Sequence, residues 1–91
     1  MTVKKYDIPD ELLIHPGETI SDILDDRNMT QKELAQRANV SEVLLNDVIH
    51  GKKNISKRLA KRLEYALDIP SSFWLNLQAN YDVDHIVFIY S

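Results

Sequence analysis

Residues 30–51 read TQKELAQRANVSEVLLNDVIHG, and the order of caps and apolar positions in this stretch decides the fold. Thr30 stands three residues before Glu33. A Thr hydroxyl at this spacing accepts from the amide of the third helical residue, while the Glu carboxylate returns to the amide of the Thr, which makes a capping box. Met29 and Leu34 stand where a hydrophobic staple would close over it. The helix begun there runs through Leu34, Ala35 and Ala38, roughly two turns, before Asn39 interrupts it. Asn tolerates positive φ better than most residues. Val40-Ser41 starts a second helix at once, with Ser41 as N-cap and Val40 stapled to Leu45. That helix ends at His50-Gly51, where Gly supplies the C-terminal turn.

Each of these helices is too short to be stable alone in water. The turn between them is too tight for an antiparallel hairpin. This is the spacing of a helix-turn-helix, in which the second helix is presented to the major groove of DNA and the first crosses the backbone. Leu34 and Ala35 must then pack against Val40, Leu45, Val48 and Ile49, and the small side chain at Ala35 lets the two backbones approach. Two short capped helices also occur in other small bundles, so the spacing by itself leaves function open.

Working outward, Pro16 and Gly17 open a first helix carrying Ile20, Ile23 and Leu24, with Asn28 as a left-handed stop. After Gly51, the loop Lys52-Lys53-Asn54 leads to Ser56 as the next cap. Leu59, Ala60, Leu63, Ala66 and Leu67 then lie on one face of a fourth helix, which Ile69-Pro70 breaks. Ser71 is the expected cap of a fifth helix, residue 72 to about residue 80, with Phe73, Trp74, Leu75 and Leu77. Residues 86–90, Ile-Val-Phe-Ile-Tyr, are rich in strand-forming types. They are expected to form a short strand that pairs at an edge within a dimer or with a partner. The fold class is therefore all-α, five helices with a short C-terminal strand. A single domain over residues 1–91 is expected, its core at about residues 15–80 and its tail at 81–91.

The chain has 91 residues, enough for one domain, and no Cys, which excludes disulfides and thiolate zinc sites. Residues 1–10 hold no continuous apolar stretch of the kind a signal peptide needs, and the longest apolar run, residues 86–90, is far below the roughly 20 residues that span a bilayer. A soluble, cytoplasmic protein with no membrane partner is the expectation. The net charge of -3 argues mildly against nucleic acid, yet the average conceals an asymmetry. Residues 1–50 carry 5 basic and 10 acidic side chains, residues 51–69 carry 6 and 2, and residues 70–91 carry none and 2. Positive potential is thus concentrated in one stretch, a distribution suited to a polyanion and equally compatible with a solvated helix face.

Thr30-Gln31-x-x-Leu34-Ala35, then Val40-Ser41, Leu45, Val48-Ile49 and Gly51-Lys52, resemble the Cro/C1-type (XRE) repressor pattern across roughly residues 17–69. His15-Pro16-Gly17-Glu18 before it and Phe73-Trp74-Leu75-Asn76-Leu77-Gln78 after it are similar to the narrower HigA antitoxin subfamily. The resemblance implies a five-helix, lambda-repressor-like domain, a homodimer, binding of palindromic operator DNA that represses its own operon, and neutralisation of a HigB-like, RNA-cleaving toxin. A stand-alone phage-type or plasmid-type repressor, and a protein-interaction module that has lost DNA reading, remain alternatives. Some related repressors continue into a zinc-peptidase domain, so a fragment of a longer protein is also compatible with the sequence, which lacks His-Glu-x-x-His.

The chain departs from the family at Asn39, where Gly is usual; the turn should survive, since Asn reaches the same conformation. A larger departure lies in the second helix of the pair, whose groove-facing positions Glu42, Val43, Leu44, Asn46 and Asp47 include two acids and no Arg. Arg to guanine is the commonest specific contact. In its absence Asn46 is the candidate for adenine, Glu42 for cytosine, and Val43 or Leu44 for a thymine methyl. Candidate phosphate contacts are Thr30 and Gln31 at the start of the first helix of the pair, and Lys52, Lys53 and Asn54 behind the recognition helix. Lys57 and Arg58 stand in the first turn of the fourth helix, where cations oppose the helix dipole unless an anion sits between them. Phe73, Trp74, Leu77 and Tyr81 are expected in the core or a self-complementary dimer interface rather than in a ligand pocket.

Catalysis has little support. His15, His50 and His85 lie far apart with no paired His-x-x-x-His spacing, and His50 reads as a helix-end residue. Asp25 and Asp26 are adjacent, so on a helix they point about 100 degrees apart and do not form a working carboxylate pair. A non-enzymatic protein without cofactor or metal is expected.

Overall fold

The computed structural model describes the backbone of residues 15–89 and the side chains of residues 15–83. Five helices follow one another: α1 (Pro16–Asp26), α2 (Gln31–Ala38), α3 (Glu42–Ile49), α4 (Lys57–Leu67) and α5 (Ser71–Ile89). The caps read from the sequence account for three of their starts. Thr30 accepts from the Glu33 amide at 3.0 Å and Glu33 Oε1 accepts from the Thr30 amide at 3.4 Å, completing the capping box of α2. Ser41 accepts from the Leu44 amide at 3.0 Å and Ser56 from the Leu59 amide at 3.1 Å. Each satisfies one of the donors that a helix start leaves without a partner.

The first four helices all end on a residue with positive φ: Asn28 (53°), Asn39 (55°), Gly51 (77°) and Asp68 (60°). In the first three the closing bonds form a Schellman motif. Met29 donates to Leu24 O at 2.9 Å, Val40 to Ala35 O at 3.0 Å and Lys52 to Asp47 O at 2.8 Å. These stops let the chain reverse within a few residues, which is how four helices fit into so short a sequence. Asp68 replaces Ile69-Pro70 as the true end of α4, and Arg27 reinforces it by donating to Leu67 O at 2.9 Å across the bundle.

The fifth helix differs from expectation. It starts at Ser71 and continues to Ile89, so residues 86–89 are helical where a strand was expected, and Tyr90 lies outside the described residues. No Gly or Pro follows Pro70. Strand preference amounts to fractions of a kcal/mol per residue and depends on a sheet partner, whereas extending an existing helix adds one backbone bond per residue.

Ile20, Leu34, Leu45, Val48, Ala60, Leu63 and Trp74 are wholly buried and join Leu24, Ala35, Ile55, Leu59 and Leu67 in one core. α3 packs on α1 and α2, α4 packs on α2 and α5, and α5 also reaches α1. Gly17 is forced by this packing. A Cβ there would overlap the Val48 carbonyl oxygen and lie 2.9 Å from Ile49 Cα, so only glycine lets the start of α1 rest on the end of α3. Trp74 belongs to this core, in edge contact with Phe73 at 5.1 Å between ring centroids. Of the two places expected for it, core or dimer interface, Trp74 takes the core of the single chain and is not available to an interface.

Candidate nucleic-acid interface

α2, the turn at Asn39-Val40 and α3 form the helix-turn-helix, and the buried face of α3 fixes which side chains remain outside. Leu45 and Val48 point into the core, so Glu42, Val43 and Asn46 are exposed, Val43 to 72% of its surface. A shallow, open concavity is lined by Glu42, Val43, Asn46 and Asp47. An apolar side chain left this open at the centre of a polar surface suits contact with a methyl group. Leu44, expected among the base-contacting positions, is half-buried against the core, because its place on the helix turns it inward from Val43. Asn46 is tied to the neighbouring helix: its amide donates to Gln31 Oε1 at 3.0 Å. Two candidate contacts, one for a base and one for a phosphate, are thereby held in one pair.

Gln31 is half-buried at the first position of α2, and Thr30 is exposed as its cap. After α3 in the chain, Gly51 makes the turn and Lys52, Lys53 and Asn54 are all exposed. The amides of Lys52 and Lys53 both donate to Asp47 O, at 2.8 and 3.3 Å, which folds the loop back on the end of α3. Lys57 and Arg58 are exposed in the first turn of α4, which contains no acidic residue. Among the described residues the ion pair formed is Arg37 with Glu33, at 3.4 Å, so these four cations are not neutralised by a carboxylate in contact.

The loop is held from behind by two residues that the sequence placed in the HigA-like motifs without assigning either of them this role. His15 is buried as the N-cap of α1, its Nδ1 accepting from the Gly17 amide at 2.9 Å and its Nε2 standing 3.1 Å from Asn54 Oδ1. Tyr81 of α5 packs edge-on against the His15 ring at 5.0 Å. Gln78, also of α5 and buried, accepts from the Ile55 amide at 2.8 Å and donates to Asp82 Oδ1 at 2.9 Å. A signal for His15 was present in the sequence: a side-chain acceptor just before a Pro at the first helical position is where a cap belongs. Gln78 closes the second motif, but nothing local to it pointed to Ile55, 23 residues away.

Of the other expected positions, Phe73 is exposed to 40%, and Leu77 and Tyr81 are half-buried on α5. His50 is the C-cap of α3, its Nδ1 donating to Asn46 O at 2.8 Å, as a helix-end residue. Asp25 and Asp26 are both exposed. Among the described residues, no group of three or more His, Asp or Glu is placed to hold a metal ion, and no helix is long and apolar enough to cross a membrane.

Helices α2 and α3 define the class, a helix-turn-helix domain of the Cro/C1 type. The helix-turn-helix family HTH_3 matches residues 20–74, and the chain belongs to that family. Its fold is similar to that of a candidate antidote protein of a plasmid maintenance system from Nostoc punctiforme PCC 73102, at 38% identity over 85% of each chain with a TM-score of 0.80. It is also similar to the Pseudomonas aeruginosa antitoxin HigA with the higBA promoter, at 34% identity over 80% of each chain with a TM-score of 0.76. A further relative is the virulence-associated protein A' of Dichelobacter nodosus, 36% identical over 73 residues; these cover 79% of this chain and 64% of that protein, so the match spans less than two thirds of its length.

Proposed function

We propose that the chain is a HigA-type antitoxin that also represses its own operon, binding palindromic operator DNA as a homodimer in the cytoplasm and neutralising a HigB-like, RNA-cleaving toxin. The observation that carries the DNA half of this reading is the exposed face of α3, tied to the start of α2 by the Asn46–Gln31 bond and followed in the chain by the exposed cations Lys52, Lys53, Lys57 and Arg58. An exposed reading face flanked by groups that bind phosphate is what insertion into a major groove requires. The first turn of α4 adds the backbone amides that the Ser56 cap does not take up, those of Lys57 and Arg58, beside two cations, which suits a phosphate oxygen. Glu42, Val43 and Asn46 are assigned to base edges, with Leu44 too enclosed to reach as far, and Thr30, Gln31, Lys52, Lys53, Asn54, Lys57 and Arg58 to phosphates.

The toxin half rests on similarity to antitoxin structures. Two measurements test the whole. A gel shift on the duplex upstream of the chain's own gene, repeated over a salt series, should show binding that weakens as salt rises. Co-purification with the product of the adjacent gene should yield a stable complex. Absence of any shift would favour the protein-interaction module, and a shift without a co-purifying partner would favour the stand-alone repressor.

A further inference from the structure

The bond chain from Gly17 through His15 to Asn54 has a direction that only one assignment of protons satisfies. Gly17 contributes a backbone N–H, which can only donate, so His15 Nδ1 must be the unprotonated nitrogen of a neutral ring. The proton is then on Nε2, which must donate in turn. The atom of Asn54 that faces it at 3.1 Å is thereby fixed as the acceptor Oδ1. The Oδ1 end of the carboxamide is thus turned toward His15, and its other end is the Nδ2 amino group with two donors, on a residue exposed in the loop that also bears Lys52 and Lys53. The Asn46–Gln31 pair lacks this property, because two amides can exchange donor and acceptor by flipping together.

We propose that His15 is a positioning residue for nucleic-acid binding: held as the Nε2–H tautomer by the Gly17 amide, it turns the Asn54 carboxamide so that Nδ2 faces outward as a donor to a DNA phosphate oxygen. This rests on the DNA-binding reading above and deepens it. The helix-capping bond of α1 and the orientation of a phosphate donor 39 residues away are made by opposite nitrogens of one ring. Tyr81, packed at a steep angle to that ring, limits its rotation.

The test uses the full chain and two probes, the duplex upstream of its own gene and a random-sequence duplex of equal length. His15→Asn keeps a short acceptor able to cap α1 but cannot reach Asn54. It should keep the protein folded by circular dichroism and weaken binding to both duplexes about ten- to a hundredfold, as loss of one hydrogen bond to a charged group does. Asn54→Ala should weaken binding by a similar factor, and the double variant should be no worse than Asn54→Ala alone, since the two residues act through one contact. Asn54→Asp, which still accepts from His15 but turns a carboxylate outward, should lose more than Asn54→Ala. Long-range nitrogen-proton NMR on the free protein should report the Nε2–H tautomer of His15. Additive losses in the double variant, unchanged affinity in His15→Asn, or an Nδ1–H tautomer would each overturn the proposal. Failure of the wild-type chain to bind either duplex would instead overturn the DNA-binding reading and the phosphate role with it, while the NMR result would still decide the tautomer.

Discussion

Asn39 stands at the left-handed position between α2 and α3, where a Cβ ordinarily costs about 1–2 kcal/mol, and the polar side chain of Asn offsets part of that cost. Asn39→Ala should therefore destabilise the fold by about 1 kcal/mol, while Asn39→Gly should be close to neutral; urea denaturation of both variants measures the difference. Gly17 makes the opposite demand, for space rather than for φ. Gly17→Ala should cost about 1–3 kcal/mol even though Ala is the better helix former, because the Cβ meets backbone oxygen and Cα of α3, which cannot rotate away. Both residues were legible to different degrees. Positive φ at Asn28 and Asn39 follows from residue type at the end of an apolar pattern, and Gly51 likewise. The need for Gly17 is created by Val48 and Ile49, about thirty residues distant in sequence, and no local pattern reports such an approach.

At the scale of the element, α3 and the loop after it divide reading from positioning. Lys53→Ala removes a proposed phosphate contact, so it should weaken binding to all duplexes about equally and flatten the log-log salt slope by about 1. Asn46→Ala should instead cost roughly 1–3 kcal/mol on the cognate duplex alone, with the slope unchanged. If Glu42 keeps α3 out of the groove, Asn46→Ala will change nothing and Glu42→Gln will strengthen binding to every sequence, which would move the function to a protein-interaction module. The starts of α2, α3 and α4 were legible because Thr30, Ser41 and Ser56 cap within three residues of themselves. The reach of α5 was not. Residues 86–89 carry side chains that favour strands, and what keeps them helical is the helix already formed before them rather than their own preference. Leu44 was misplaced for a related reason, since an apolar side chain at the edge of a helix face can serve the core or the groove, and only the packing of α3 decides.

For the whole molecule, the tertiary structure leaves Tyr65 exposed to 84% on α4, with Phe73 exposed to 40% and Val83 to 59% on α5. Large apolar side chains left outside a finished core suit a self-complementary interface. The proposed dimer should place its two recognition helices about 34 Å apart, one turn of DNA. Sedimentation at tens of micromolar should give the mass of two chains, and Phe73→Asp should shift it toward one chain without unfolding it. A single-chain mass for the unmodified protein, with and without DNA, would sink the dimer. That α5 supplies both a core residue and this surface could not be read from Phe73-Trp74, because neighbours on a helix face directions about 100 degrees apart and the sequence does not say which of two faces is the inner one.

Trp74 is the only tryptophan of the chain, wholly enclosed, and its indole Nε1 is the one buried side-chain polar atom without a hydrogen-bond partner among the described residues. An indole so fully enclosed by the fold fluoresces at short wavelength, and its emission moves to the red once it is exposed to bulk water. The molecule thus carries a built-in optical reporter for the packing of α5 on α1 and α4. Unfolding should shift the emission in a single step, whereas a saturating DNA duplex, engaging α3 on its exposed side, should leave the wavelength where it was. A ligand or partner that pries α5 from the bundle would be seen by colour alone, with no label attached.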